Sequence, residues 1–187
     1  DFIVRAAKKY NYEFYIDCGD LIFRKARTGA STAIELGAKS GIISMEAAYD
    51  FTGVVESVTV RGVDVDKGGV VEAEKKNTNK LSLGSYAKNF VKGKKSINID
   101  ASVSSREEAE YRAGYIMDNA AYKLGKLDCE VIGLPELKPG NYIVIKGFGK
   151  PAANTYYIVN VIHRIDQYSG FRTRIIAASD SVEKELR

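Results

Sequence analysis

The amino-acid sequence predicts an α+β fold that is mainly β. We expect a small β-barrel or split barrel with a packed amphipathic helix, preceded by a helix–hairpin unit. Two observations support this prediction. Many short runs rich in β-branched and aromatic residues are separated by glycine-containing turns, as in antiparallel sheets. One long amphipathic stretch at 104–125 carries the start and stop signals of a helix.

The first residues predict a helix followed by a β-hairpin. Apolar residues recur at spacings of three and four at Phe2, Ile3, Ala6, Ala7 and Tyr10, which places them on one helix face. Tyr12–Ile16 then reads as an aromatic-rich strand, and Leu21–Arg24 as its partner. Gly19 lies between them, where a tight turn needs positive φ.

The middle of the chain predicts a linker and then several strands. Small and polar residues dominate 26–40, so we expect a loose connection there. Ile42–Tyr49, Val54–Val63 and Val70–Glu74 are predicted strands, because β-branched residues alternate with polar ones in the clearest of them. The predicted domains are a helix–hairpin unit with its linker at 1–40, a barrel-like domain at 41–180 and a tail at 181–187.

The stretch at 104–125 is predicted as the longest helix. Ser104 and Glu107 form a capping-box pattern, in which the hydroxyl and the carboxylate satisfy each other's backbone N–H groups. A single apolar stripe follows, made of Ala109, Ala113, Ile116, Met117, Ala120, Ala121 and Leu124. Gly125 is expected to end the helix in the left-handed conformation. The many alanines indicate that the helix lies close against a sheet.

The rest of the sequence predicts strands joined by tight turns. We expect strands at Ser96–Asp100, Cys129–Gly133, Tyr142–Lys146, Tyr156–His163 and Phe171–Ala177. Pro139 presets the φ angle of a turn whose next position, Gly140, takes positive φ.

Positive charge is unevenly distributed. The net charge is only +4, but the run 75–95 contains no acidic residue and the following lysines: Lys75, Lys76, Lys80, Lys88, Lys92, Lys94 and Lys95. Tyr86 and Phe90 lie among them. The run is either a solvated loop, a loop that contacts an acidic protein neighbour, or a nucleic-acid contact built from charge and stacking rings.

The residues that carry chemistry do not form a recognisable catalytic or metal site. His163 is the only histidine. The two cysteines, Cys18 and Cys129, are far apart in sequence and could pair, but a domain of this size needs no disulfide, so we expect reduced, packed thiols. Acidic residues at turns and in the first helical turn have structural explanations. We therefore expect no enzyme activity, no catalytic residues, no metal and no cofactor. No apolar run approaches the ~20 residues of a membrane-spanning helix.

Several stretches of the chain carry a family resemblance. They are Ala6–Lys25, Ser57–Asp64, Val103–Glu110, Gly133–Gly140 and Tyr156–His163. These stretches, in this order, resemble the phage late control gene D proteins. The likeness covers most of the chain and is interrupted at 75–95.

The resemblance implies a baseplate hub related to the base of the VgrG spike of type VI secretion. Such a hub adapts a tail tube to a trimeric spike, so the implied partners are further copies in a homotrimer, tube proteins and spike proteins. DNA passing through the lumen is a possible further contact. The implied locations are the virion tail and, during assembly, the bacterial cytoplasm. The chain is expected to correspond to the later half of a hub, without the preceding barrel.

Two other functions remain open on the sequence alone. A nucleic-acid-binding barrel would use the basic run 75–95. A cell-wall hydrolase of the same tail machinery would need an acid and a base, and no pair of carboxylates in the sequence stands out as a candidate for these roles.

Overall fold

The computed structural model describes residues 2–17, 19–28, 34–64, 67–78, 81–82, 89–149 and 151–183. The elements, in chain order, are α1 (Phe2–Lys9), β1 (Tyr12–Asp17), β2 (Asp20–Lys25), β3 (Ile34–Gly37), β4 (Ile42–Tyr49), β5 (Ser57–Asp64), β6 (Gly69–Lys76), β7 (Leu81–Ser82), β8 (Lys95–Ile99), α2 (Arg106–Ala121), β9 (Gly125–Ile132), β10 (Tyr142–Lys146), β11 (Thr155–Asp166), β12 (Gly170–Ser179) and β13 (Val182–Glu183). The predicted α+β, mainly β class is confirmed.

The chain divides into two compact units, each made of separate segments. Unit 1 consists of Asp1–Thr28, Val54–Thr78 and Val91–Ala120, and unit 2 of the remaining segments. Unit 1 therefore holds α1 and all but the last residue of α2, together with β1, β2, β5, β6 and β8. The chain passes from one unit to the other several times along its length.

Unit 2 is built on a six-stranded sheet in the order β3-β10-β11-β12-β9-β4. The long pairings are antiparallel, whereas β3 runs parallel to β10. The register of β12 shifts by one residue on β11 between Ile158 and Asn160, a β-bulge that increases local twist. A small parallel pair, β7 with β13, completes the unit.

The six-stranded sheet has to curl, because its two edge strands are consecutive in sequence. In a flat sheet β3 and β4 would lie about 24 Å apart, given the ~4.8 Å spacing of neighbouring strands. The connection at 38–41 can span at most about 18 Å. It is a tight turn, in which the Ser40 N–H donates to the Gly37 carbonyl at 2.9 Å. The sheet accordingly forms a half-barrel, which confirms the barrel-like prediction.

The core of unit 2 fills the inside of this curled sheet with large side chains. These are fully buried Leu, Ile, Val and Tyr residues from five strands and the loop between β9 and β10: Leu36, Leu127, Val131, Leu137, Ile143, Ile145, Tyr156, Ile158 and Ile175. One end of the core holds a polar network. The hydroxyls of Tyr49 and Tyr156 hydrogen-bond each other at 2.7 Å, and Tyr49 also donates to the Pro151 carbonyl. Burial and this bond raise the pKa of Tyr156, so the phenol stays neutral.

Unit 1 is a helix on a three-stranded sheet in the order β6-β5-β8. Strand β5 is antiparallel to β6 and parallel to β8. Ala109, Ala113 and Met117 of α2 pack against Val58 and Val60 of the central strand. The core is therefore made of small side chains, which confirms that the alanine-rich helix lies close to a sheet.

The β1–β2 hairpin of unit 1 is anchored at its base to α2. The Asn11 side chain donates to Asp118 at 2.7 Å, and the Arg27 guanidinium donates to Asn119 at 3.1 Å. Both anchors adopt positive φ, 60° for Asn11 and 61° for Arg27, where the backbone changes direction at either end of the hairpin. The hairpin base is thus fixed to the helix layer of the unit.

Three local predictions need correction. The stretch 26–40 is not simply a linker, since Ile34–Gly37 forms β3. The helix cap lies one residue later than predicted: the Glu108 N–H donates to Ser105 Oγ at 3.2 Å, and the Glu108 carboxylate accepts from the Ser104 N–H at 2.9 Å. Gly125 does not end the helix in the left-handed conformation but starts β9, where an added Cβ would lie 3.0 Å from the Tyr49 ring.

Candidate interaction surfaces

One side of the β6-β5-β8 sheet faces α2, and the opposite side carries exposed side chains on the outer strands and at the far end of β5, whereas Ser57 and Thr59 of β5 are buried. We call this opposite side the open face. Its rows follow the strand register: Lys76, Ser57 and Lys95; Glu74, Thr59 and Ile97; Glu72, Arg61 and Ile99; Val70 and Val63. Val70 and Ile99 are 75% and 85% exposed. Exposed apolar groups rimmed by charge are typical of a surface that binds another protein.

The first row of the open face is basic. Lys76 and Lys95 flank Ser57 from the two neighbouring strands. Ser57 is only 2% exposed, and its hydroxyl has no hydrogen-bond partner among the described residues. Neither lysine forms an ion pair within that part of the chain. The row therefore presents two ammonium groups, and the adjacent row on the same face carries the carboxylate of Glu74.

The other lysines of the predicted basic run are arranged differently. Lys75 lies one residue before the basic row on β6, and Lys92 and Lys94 lie in the turn that leads into β8. The Glu56 carboxylate accepts from the Gly93 N–H at 2.6 Å in the same turn, so a negative charge lies within this group. Lys80, Lys88 and Tyr86 lie outside the described residues.

The hairpin carries a second uncovered apolar surface, which we call the hairpin face. The register pairs Phe14 with Phe23 and Ile16 with Leu21, and residues directly opposite each other share one face. Ile16 and Leu21 are 70% and 61% exposed. Tyr12 stacks on Phe23 with ring centroids 5.1 Å apart. Lys25 lies opposite Tyr12 at the base of this face, whereas Asp20 at the turn end lies on the other face of the hairpin, with Ile22 and Arg24.

Unit 2 has a charged groove on the outer side of its curled sheet, with a volume of about 460 Å³. Its charges largely compensate each other. Arg174 donates two bonds to Asp128, at 2.8 and 2.6 Å, and these bonds hold the pKa of Asp128 below its ordinary value. Arg172 lies 3.4 Å from Glu130. Pairs this exposed contribute little to stability, and they leave few free groups for a charged ligand.

The residues that were considered for catalysis lie apart and have structural contacts. His163 Nδ1 lies 3.0 Å from the Thr173 hydroxyl. Cys129 is fully buried, and burial raises the pKa of its thiol to about 11, which makes it unreactive. Glu108 caps α2. Cys18 lies outside the described residues.

The described part of the chain contains neither a cluster of metal-ligand side chains nor a helix that could span a membrane. Within residues 2–183, apart from the gaps given above, no three His, Cys, Asp or Glu side chains come together as metal ligands. No helix in the described segments has the length and apolar content needed to cross a membrane.

The fold and these surfaces can now be compared with known proteins. The family model of the Alg8 N-terminal domain matches residues 1–167. The chain belongs to this family. A comparison with curated proteins finds no match.

Solved structures with the same fold are tail and secretion proteins. The prophage MuSo2 43 kDa tail protein of Shewanella oneidensis is 12% identical with a TM-score of 0.72, and covers 96% of this chain. The tail protein of Neisseria meningitidis MC58 is also 12% identical, with a TM-score of 0.67 over 94% of this chain. The Escherichia coli c3393 protein, a component of the type VI secretion system, is 10% identical with a TM-score of 0.53 over 99%.

The chain spans only part of these structures. It covers 53% of the Shewanella and Neisseria proteins and 39% of the Escherichia coli protein. The likeness establishes the fold that this chain shares with phage-type tail proteins, at low sequence identity.

Sequence reasoning identified the lysines but missed the open face. The alternation in Val54–Val63 and Ser96–Asp100 is visible in the sequence. Which face α2 covers depends on the sheet order, and that order places β8 beside β5 rather than beside β6. The exposed Ile97 and Ile99 are therefore apparent only in the folded chain.

Proposed function

We propose that this chain is a structural component of a phage-like tail and acts in the hub that adapts the tail tube to a trimeric spike. The supporting observation is the fold, which is shared over 94–99% of the chain with the three tail and secretion proteins above. The resemblance of five sequence stretches to the late control gene D proteins is in keeping with a hub. In this proposal three copies act together in the virion tail.

The surfaces of unit 1 support a function through assembly. A chain that acts alone rarely exposes several large apolar side chains on neighbouring strands. Here both the hairpin face and the open face do so, on residues such as Ile16, Leu21, Val70 and Ile99. Copies or partners that cover them would stabilise an otherwise small α/β unit.

The test is deletion of the gene in the strain that produces the particle, followed by electron microscopy. We expect tubes and spikes that are not joined, and no complete particles. Complementation with the intact gene should restore particles that contain three copies of the protein. Complete particles without the protein would refute the proposal.

A matched variant separates a structural role from a catalytic one. His163→Gln removes the only histidine, whose exposed ring contacts the hydroxyl of the buried Thr173. We expect this variant to restore complete particles as well as the intact gene does. Loss of particles by a variant that still folds would indicate that the histidine has a chemical role.

Nucleic-acid binding by the basic row is the second candidate. Its specific support is the placement of Lys76 and Lys95 on either side of Ser57. The adjacent row carries Glu74 and the next one Glu72. Their carboxylates would repel the phosphates of a nucleic acid that extended along this face. Filter binding should show retention of DNA that falls steeply with salt and is lost in Lys76→Gln/Lys95→Gln. Unchanged retention in that variant would exclude this site.

A further inference from the structure

The two edge strands of the β6-β5-β8 sheet carry complementary side chains. In the part of the chain that the structure describes, β6 and β8 each pair with β5 alone, so each presents an edge to which a further strand can be added. Glu74 on β6 and Lys95 on β8 have no ion pair among the described residues. On the same face, Val70 of β6 and Ile99 of β8 are 75% and 85% exposed.

Pairing of these two edges needs two copies of the chain. Within one copy, β6 and β8 lie on either side of β5, about 9.6 Å apart at the ~4.8 Å spacing of neighbouring strands. Strand β5 is antiparallel to β6 and parallel to β8, so β6 and β8 run in opposite directions. A second copy in the same orientation therefore brings its β6 antiparallel to β8 of the first, the slightly more stable way to pair two strands.

We propose that β8 of one copy pairs with β6 of a second copy, in the register that places Lys95 opposite Glu74. The same register places Ile99 opposite Val70, so the two most exposed apolar side chains of the open face cover each other. Residues directly opposite each other share one face and interact. The contact uses different surfaces on the two copies and can therefore close into a ring of three. The proposal rests on the self-assembly proposed above and identifies its contact.

The charges select this register among its neighbours. With the rows of the two copies level, Lys95 would lie opposite Lys76, and like charges directly opposite each other destabilise a sheet. A shift by one row brings Lys95 opposite Glu74 instead. A shift by two rows would bring it opposite Glu72, whose carboxylate is already bonded to Arg61 of its own copy at 2.7 Å.

The basic end of the contact lies beside a carboxylate. In the proposed register Lys76 comes level with Gly93, whose N–H donates to the Glu56 carboxylate at 2.6 Å. Lys75 comes level with Lys94 on the other face, just before β8 begins. The Glu56 N–H donates to the Lys94 carbonyl at 2.8 Å, so the same acidic residue lies beside this pair of like charges.

Cysteine cross-linking tests the contact and its register. All variants carry Cys18→Ser, and Cys129 is retained because it is fully buried. Val70→Cys/Ile99→Cys places two thiols opposite each other across the proposed junction. Within one chain they are separated by β5 and by one row, beyond the reach of about 4.4–6.8 Å between the Cα atoms of a disulfide. Mild oxidation should give reducible dimers and trimers on a denaturing gel, and monomers alone would overturn the proposal.

Two controls show whether the cross-links come from this junction. Val70→Cys/Ile165→Cys keeps one thiol on β6 and moves the other to β11 of unit 2, where Ile165 is 79% exposed. It should give no reducible oligomers, and neither should Ile99→Cys alone. Dimers from Ile99→Cys alone, without trimers from the double variant, would mean that β8 pairs with β8 across a two-fold axis. That result would overturn the proposed pairing and leave the tail function intact.

Charge reversal tests the Lys95–Glu74 pair independently. Analytical ultracentrifugation should show that Lys95→Glu or Glu74→Lys weakens self-association by about tenfold. The two changes together should restore it to within about threefold of the wild-type value. Lys126→Glu, on β9 of unit 2, is the control and should have no effect.

Two results of the charge reversal would overturn the edge contact. One is unchanged self-association in either single variant; if Lys95→Glu also loses salt-sensitive DNA retention, this lysine binds nucleic acid instead. The other is a wild-type chain that is monomeric at every concentration. The gene deletion described above tests the tail function separately, so failure of the contact and failure of the function are distinguishable.

Discussion

The two units of the chain bury their apolar residues in opposite ways. Unit 2 curls its sheet around a core of large side chains, in which Leu127, Ile158 and Ile175 are almost fully buried. Unit 1 has a core of Ala and Val beneath one helix, and leaves Ile99 and Ile16 largely exposed. The hydrophobic effect stabilises in proportion to buried apolar area. Unit 2 thus encloses the larger core, although Ile132 and Ile165 are exposed on it as well, and unit 1 leaves more large apolar side chains exposed around a smaller core.

The largest effect is expected in the core of unit 2. Ile175 and Ile176 are consecutive on β12, but Ile175 is fully buried and Ile176 is not. Ile175→Ala should lower the free energy of unfolding by about 3 kcal/mol, from lost burial and a new cavity. Ile176→Ala should change it by less than about 0.5 kcal/mol. Urea denaturation of both variants measures this difference, and equal effects would contradict the assigned core.

A smaller effect is expected at Gly62 of unit 1, where the backbone of β5 lies against the backbone of Val103. An added Cβ at Gly62 would lie 2.1 Å from the Val103 carbonyl oxygen. Gly62→Ala should therefore destabilise the chain by about 2 kcal/mol, since the sheet has to shift. Gly114→Ala is the control, because Gly114 lies on α2 with no atom within 4 Å of the added Cβ.

The control substitution is expected to have the opposite sign. Alanine in place of glycine within a helix should stabilise by about 0.5–1 kcal/mol. Thermal denaturation of the two variants gives the comparison. A neutral Gly62→Ala would show that the loop at Val103 is not held against the sheet.

The helix cap gives the smallest of these effects. Ser105→Ala removes the acceptor of the Glu108 N–H and should cost about 1 kcal/mol. Ser102→Ala is the control, because Ser102 lies outside the helix and bonds to Asp100. A larger effect at Ser102 would place the cap elsewhere.

The cap also predicts a pH dependence. Hydrogen bonds from Ser104 and Ser105 lower the pKa of Glu108 in the folded chain. A lowered folded pKa means that the stabilisation is present above the unfolded pKa, about 4.3, and is lost as the pH falls through the folded pKa. The stability difference between the wild-type chain and Glu108→Gln should therefore shrink below about pH 4. A difference that is constant from pH 7 to pH 3 would contradict this.

Local signals predicted most of the strands but not all of the boundaries. Tyr142–Lys146 was predicted with its observed limits, because the turn at Gly140, with φ of 85°, fixes its start. The helix cap was predicted one residue too early, because the Ser104–Glu107 and Ser105–Glu108 pairs both fit the capping-box pattern. Strand β3 was missed because its four residues pair with β10, more than a hundred residues later. A partner that distant leaves no local signal.

The interaction surfaces were predictable only in part. The alternation of Tyr12, Phe14 and Ile16 predicted a strand, but not that its apolar face stays uncovered. The lysines of the run 75–95 were visible as a group. Strand register determines which of them share a face: Lys76 and Lys95 form one row, whereas Lys92 and Lys94 lie in a turn that also holds the negative charge of Glu56.

Hydrogen exchange at low and high protein concentration tests the comparison of the two units most directly. The account predicts that concentration-dependent protection is confined to unit 1, in β6 and β8 at the two edges of its three-stranded sheet. Exchange in β9 and β12 of unit 2 should not change. Added protection in the strands of the half-barrel, with none in β6 or β8, would contradict the claim that copies of the chain meet through unit 1.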